Sequence, residues 1–206
     1  MQKGFHFDPD FYLLPSKCLI DGGFQSEKYF APAANILRKH FSFRYPPSRE
    51  ILRVANEISN SNAVSVHFRR GDFVANPAYK NSIAPLGLEY YKNAFQKILD
   101  RVHEPSFYVF SDDIDYARTC GICPENSIFV DCVIHWHAYD ILRLMSLCQN
   151  FIISNSTFAW WGAWLAESSS KTVIYPEPWF ANIPEYDTRD LCPASWLPAP
   201  RENCIG

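Results

Sequence analysis

The sequence predicts an α/β fold, a Rossmann-like parallel sheet covered by helices, preceded by a partial helical N-terminal segment. Three observations carry this. Short apolar runs recur from about residue 61 onward, helical stretches alternate with them, and the runs are continuously apolar rather than apolar on every second residue. Continuous apolar strands belong to sheets buried on both faces, and strand–helix alternation makes such sheets parallel. A chain of 206 residues suits one domain, or one domain with an incomplete second.

Residues 63–68, Ala-Val-Ser-Val-His-Phe, are short and β-branched, and form the first strand. A loop with Gly71, Pro77 and Pro85 follows. Leu88, Tyr91, Phe95, Ile98, Leu99 and Val102 then repeat at helical spacing, which predicts a helix over 88–102. Residues 107–110 and 127–130 read as the second and third strands. Ile141, Leu144, Met145 and Cys148 mark a helix starting near Asp140, and 151–153 is the fourth strand. The spacing predicts a helix over 157–167 whose apolar face is mostly tryptophan, then a fifth strand over 172–175.

Residues 1–60 show no strand series. Two short helices are expected there, over 24–30 and 49–59, with Ser48 capping the second. The expected division is a partial N-terminal segment over 1–60 and a Rossmann-like domain over 61–206.

Composition narrows the function classes. Hydrophobic residues make up 48% and charged residues 20%, the balance of a globular protein. Nineteen Lys and Arg against 22 Asp and Glu leave a net charge of -3, so no bulk positive field gathers nucleic acid. No apolar run approaches the roughly 20 residues needed to cross a bilayer. The first ten residues lack the apolar region of a signal peptide. Seven scattered cysteines, an odd count, fit free thiols in a reducing compartment. A cytoplasmic location is expected, and peripheral association with a membrane is compatible with it.

A sheet of this kind binds ligands at the carboxyl ends of its strands. Polar clusters sit there: Arg69 to Asp72 after the first strand, Ser111 to Asp113 after the second, Ser154 to Thr157 after the fourth. Side chains alternate along a strand, so His67 and Arg69 point one way and Arg70 the other. At a crevice, a guanidinium fork suits a phosphate. The plainer alternative is a surface arginine pair with a core histidine. Arg70-Gly71-Asp72 also spells an integrin motif, which the lack of a secretion signal discounts.

Ser154, Asn155, Ser156 and Thr157 lie between a strand and a helix, where free N–H groups bind anions. Capping by Asn155 or Ser156 is the alternative. The same residues spell a glycosylation sequon, which a crevice position disfavours. Trp160, Trp161 and Trp164 form a helical stripe suited to core packing. Asp140 serves either as a helix N-cap or as an acceptor for a base edge. Asp113 and Asp115 spell the Asp-x-Asp of metal-dependent transferases, a pattern common by chance. Cys120, Cys123, Cys132, His135 and His137 form an imperfect zinc pattern, and a thioredoxin-type role does not suit the helical residues before Cys120.

Three segments carry a resemblance: Val66-His-Phe-Arg-Arg-Gly-Asp-Phe73, Phe110-Ser-Asp-Asp113, and the block from Ile152 through Ser-Asn-Ser-Thr-Phe-Ala-Trp-Trp to Leu165. With residues 23–30, 173–180 and Trp196, they resemble the α-1,2-fucosyltransferases, glycosyltransferase family 11, over about 20–197. The resemblance implies transfer of L-fucose from GDP-fucose to the 2-hydroxyl of a terminal galactose. Inversion at the anomeric carbon and independence of metals and cofactors come with it. The implied fold is the C-terminal half of glycosyltransferase fold B. By resemblance, Arg69 binds the donor pyrophosphate, His67 and Asp140 help hold guanine, and Asp113 serves the ribose region. Ser154, Asn155, Ser156 and Thr157 surround the phosphates and fucose, and Asp72 is the nearest candidate base, with a base-independent, oxocarbenium-like path as the alternative. Family members begin with a glycine-rich loop after a first strand. No such segment occurs here, so the chain is expected to start partway into the acceptor-side domain. The rival readings are a non-catalytic nucleotide-sugar or glycan-binding remnant, and a metal-dependent transferase of another fold using Asp113 and Asp115.

Overall fold

In the computed structural model, which describes residues 4–131, 136–183 and 185–201, the backbone divides into two units. One is Met1–Ser42 with Ile183–Trp196, the other Phe43–Asn182 with Leu197–Gly206.

In the smaller unit, 3-10 turns at Pro9–Leu13, Glu27–Tyr29 and Ala31–Ala33 lead into helix α1 (Ala34–His40). Tyr29 is buried among the rings of Phe7, Phe11 and Phe24, with centroids 4.9–5.2 Å away. Asp190 ties the unit's two segments together, accepting from the Phe7 N–H at 3.1 Å and pairing with Lys28. The helix expected over 24–30 shrinks to the turn at Glu27–Tyr29. Phe24 has φ 44, a left-handed conformation that no right-handed helix can include.

The larger unit begins with α2 (Arg49–Ser59), capped as expected by Ser48, whose hydroxyl accepts from the Ile51 N–H at 3.3 Å. This helix, which the sequence reading grouped with residues 1–60, packs with the sheet unit. Strand β1 (Ala63–Phe68) is buried throughout. Two short helices, α3 (Gly71–Ala75) and α4 (Pro77–Ser82), occupy the predicted loop. Next come α5 (Leu88–Leu99), β2 (Ser106–Ser111), α6 (Ile114–Thr119) and β3 (Ile128–Phe129). Then follow α7 (Ala138–Leu147), β4 (Asn150–Ile152), α8 (Thr157–Leu165), β5 (Val173–Glu177) and β6 (Leu197–Pro200). The sixth strand, Leu-Pro-Ala-Pro, was not expected. Proline lacks the N–H a central strand needs, and β6 lies at the sheet edge, where that loss is tolerated.

The strands of the sheet pair in parallel in the order β3-β2-β1-β4-β5-β6. The chain runs outward from β1 through β2 to β3, returns to the centre at β4, and runs outward the other way. The two halves therefore diverge between β1 and β4, the switch point beyond whose carboxyl ends sheets of this kind form their ligand crevice. Two tyrosines of α5 fasten those ends. The Tyr91 hydroxyl donates to the His67 carbonyl at 3.1 Å, and that of Tyr90 to the Ile153 carbonyl at 2.5 Å. Among the described residues, no helix is long and apolar enough to cross a membrane.

Candidate functional site

The two central strands are joined at the crevice by side chains. His67 Nδ1 lies 2.8 Å from Ser154 Oγ, and both residues are buried. Burial strips water from the imidazolium, so the His67 pKa falls to about 4; nearby Asp112 opposes this and Arg69 adds to it. The ring is therefore neutral at pH 7, with one nitrogen committed to Ser154 and the other ready to donate or accept as the tautomer allows.

Arg69 follows the strand end. Its Nη2 lies 2.7 Å from Asp72 Oδ1 and its Nη1 2.9 Å from Asp112 Oδ2, with the Phe73 ring centroid 5.5 Å away. A third of the side chain is exposed, so the fork is held in place yet reachable. Asp112 also accepts from the Arg70 N–H at 2.8 Å, which fixes the backbone between the two arginines. A Cβ on Gly71 would stand 2.7 Å from Asp112 Oδ2, so a side chain there would have to push that carboxylate aside. Arg70 takes a different partner set: Nε reaches Asp113 Oδ2 at 3.2 Å, and the guanidinium lies 3.4 Å from the Tyr116 ring centroid. Asp113 Oδ1 meanwhile caps α6 by accepting from the Tyr116 N–H at 3.2 Å.

At the start of α8, Ser156 is the N-cap residue in extended conformation, and its hydroxyl makes no capping bond to the first turn. The capping alternative thus fails for both candidates. Asn155 instead turns its amide group the other way, with Nδ2 donating to the carbonyls of Ile83 and Ala84 at 3.0 and 3.2 Å. At 3% exposure Asn155 is also closed to glycosylation. Ser156 is buried and Thr157 is exposed. The open helix start has the N–H groups and dipole sign that hold an anion.

Asp140 sits apart in its contacts. Helix α7 begins at Ala138, so Asp140 is not its N-cap; the carboxylate reaches back to the His137 N–H at 3.2 Å. Its other neighbour is Arg143 at 3.8 Å, whose Nη2 donates to the Tyr45 carbonyl at 2.5 Å. His67, Arg69, Asp72 and Ser154 thus gather at the ends of β1 and β4, while Asp113 and Asp140 are engaged at their own helix starts. Asp112 is the residue that sequence reasoning passed over in favour of Asp113. The adjacent acids of the second strand's end were visible, but not which of them would hold Arg69.

The cysteine pattern takes no ligand-like form where it is described. The thiols of Cys120 and Cys123 both donate to the Ala117 carbonyl, at 3.3 and 3.7 Å. Burial and the neighbouring Cys120 push the Cys123 thiol up to about 12. Cys132 and His135 lie outside the described residues.

The family profile described as glycosyl transferase family 11 matches residues 20–186. The chain belongs to that family. Among curated proteins, it is similar to the O-antigen biosynthesis glycosyltransferase WbnK of Escherichia coli, at 31% identity over 88% of this chain and 64% of that protein. It is also similar to an alpha-1,2-colitosyltransferase of Escherichia coli, at 33% identity over 85% of this chain and 60% of that protein. The chain therefore spans less than two thirds of the length of these family 11 relatives. The match with the family includes the His67–Asp72 turn, the Asp112–Asp113 pair and the α8 start.

Proposed function

We propose that this family 11 chain binds GDP-fucose in the crevice beyond β1 and β4 and transfers L-fucose, with inversion, to the 2-hydroxyl of a terminal galactoside. The observation that carries the reading is the cluster at one point of the sheet: neutral His67 bonded to Ser154, with the Arg69 fork and the uncapped α8 start at the same strand ends. A diphosphate needs paired donors and a positive end of a helix, and this cluster supplies both.

In mechanism, the acceptor hydroxyl attacks the anomeric carbon as GDP departs. Arg69 and the first-turn amides of α8 stabilise the charge that grows on the leaving diphosphate. Asp112, the less exposed of the two partners, keeps its hold on the fork while the phosphate displaces the more exposed Asp72. Asp72, 44% exposed and released from Arg69 when phosphate binds, is the candidate acceptor of the hydroxyl proton. His67 and Asp140 are assigned to guanine and Asp113 to the ribose region, in keeping with the family resemblance. No metal or cofactor takes part in this scheme.

The colitosyltransferase relative favours one alternative, a colitosyl donor on the same cluster. Incubating the protein with GDP-fucose or GDP-colitose and simple galactosides, with product mass as the readout, separates the two. Fucose added to galactoside supports the proposal. Colitose alone transferred replaces the donor, and GDP binding without transfer of either leaves a binding module.

A further inference from the structure

The carbonyls of Ile83 and Ala84 receive hydrogen bonds from two buried side chains that are far apart in sequence. Asn155 Nδ2 donates to both carbonyls, at 3.0 and 3.2 Å. Arg201 Nη2 also donates to both, at 2.7 Å for Ala84. Arg201 is itself fixed: Nη1 donates to the Trp179 carbonyl at 2.6 Å, and its backbone N–H to the Glu177 carbonyl at 2.9 Å. Ala84 adopts φ 49, a left-handed conformation unusual for a residue with a Cβ, and one that persists where its surroundings impose it. Asn155 precedes the α8 N-cap by one residue.

We propose that Arg201 is a positioning residue for the α8 start, acting through the Ile83–Ala84 turn on Asn155. A buried guanidinium is a stiff, forked donor, and here it presents the turn's two carbonyls to the single amide of Asn155. Without it, the turn relaxes from its left-handed conformation, Asn155 loses its two acceptors, and the amides that follow it lose their fixed direction. Neither residue needs to touch a ligand for this. No local pattern announces the device, because Arg201 is 118 and 117 residues away from the carbonyls it holds.

Two measurements test the proposal. Amide exchange on the ligand-free protein requires no assumption about function. In Arg201→Lys, exchange in segments 83–86 and 154–158 rises about 10-fold, while β2 keeps its protection. Unchanged exchange at 154–158, or an equal rise across the sheet, overturns the proposal. The second measurement is GDP affinity by calorimetry, which rests on the donor-site reading above. Arg201→Ala and Asn155→Ala each weaken binding about 10-fold, Arg201→Lys recovers part of the loss, and the double variant is no weaker than the worse single one. Multiplying losses in the double variant mean independent action and overturn the proposal. Should Arg201→Ala not fold, the lysine variant decides. Wild-type protein that ignores GDP refutes the donor-site reading alone, since the exchange result still stands or falls by itself.

Discussion

His67 and Ser154 join the two central strands of the sheet through one 2.8 Å bond between buried side chains, at the point where the two halves of the sheet diverge. The bond links the arginine turn after β1 to the loop that starts α8. It also keeps an ionisable ring out of water, which has a measurable consequence.

Stability should fall as pH drops from about 6.5 to about 4. The folded pKa of His67 is about 4 against an ordinary value of 6.5. Between those limits the unfolded chain binds a proton that the folded one does not, so folding weakens as pH falls. The full shift corresponds to about 3 kcal/mol, present above pH 6.5 and lost toward pH 4. Urea melts at several pH values should show this loss, and His67→Asn should flatten it. Asp187 acts lower: its hydrogen bonds from Arg189 hold it at about 2, so its contribution disappears only below the ordinary carboxylate range.

Arg69 and Arg70 should separate cleanly. Removing a charged donor costs about 1.5–3 kcal/mol, so Arg69→Ala weakens GDP binding about 10- to 150-fold, with only part recovered in Arg69→Lys. Arg70→Ala leaves affinity nearly intact and lowers the melting temperature by a few degrees, through loss of its contacts with Asp113 and the Tyr116 ring. Calorimetry with thermal melts decides. GDP binding lost in Arg70→Ala and kept in Arg69→Ala would reverse the assignment.

Gly71→Ala should act like an Asp112 variant. The added methyl meets Asp112 Oδ2 at 2.7 Å and forces that carboxylate away from Arg69 and the Arg70 N–H. GDP affinity drops about 10-fold in both Gly71→Ala and Asp112→Ala, and the double variant loses little more. Affinity unchanged in Asp112→Ala would show that Arg69 needs no support from Asp112.

Thiol reactivity should sort by environment. Cys18 is exposed, whereas burial raises the pKa of Cys123 to about 12 and also raises that of Cys148. A thiol alkylates as its thiolate. Iodoacetamide at pH 8 should label Cys18 within minutes and leave Cys123 and Cys148 unlabelled in the folded protein, as read by peptide mass. Fast labelling of Cys123 would place a thiolate where none is expected.

Residues 63–68, 107–110 and 151–153 announced strands because a sheet buried on both faces needs unbroken apolar side chains, and that need is local. Ser48 announced its helix for a similar reason, since a cap acts within three residues. The motif around Arg69 and the Ser154–Thr157 loop were legible as strand-end polar clusters. Asp112 was not distinguished from Asp113, because the two differ only in which way the backbone turns after β2. The helix at Ala34–His40 was missed, and the one expected over 24–30 failed at Phe24, whose backbone is set by ring packing around Tyr29.

By itself, then, the sequence determined the α/β class, the strand ends at which a ligand could sit, and the residues of the arginine turn, because periodicity, capping and alternation all operate within a few neighbours. Only the tertiary structure decided the strand order that opens the crevice between β1 and β4, the bond from His67 to Ser154, and the hold of Arg201 on the Ile83–Ala84 turn. Those contacts join residues 87 and 117 positions apart. Such pairs carry no local pattern; they exist only once the buried sheet has brought distant loops to the same edge.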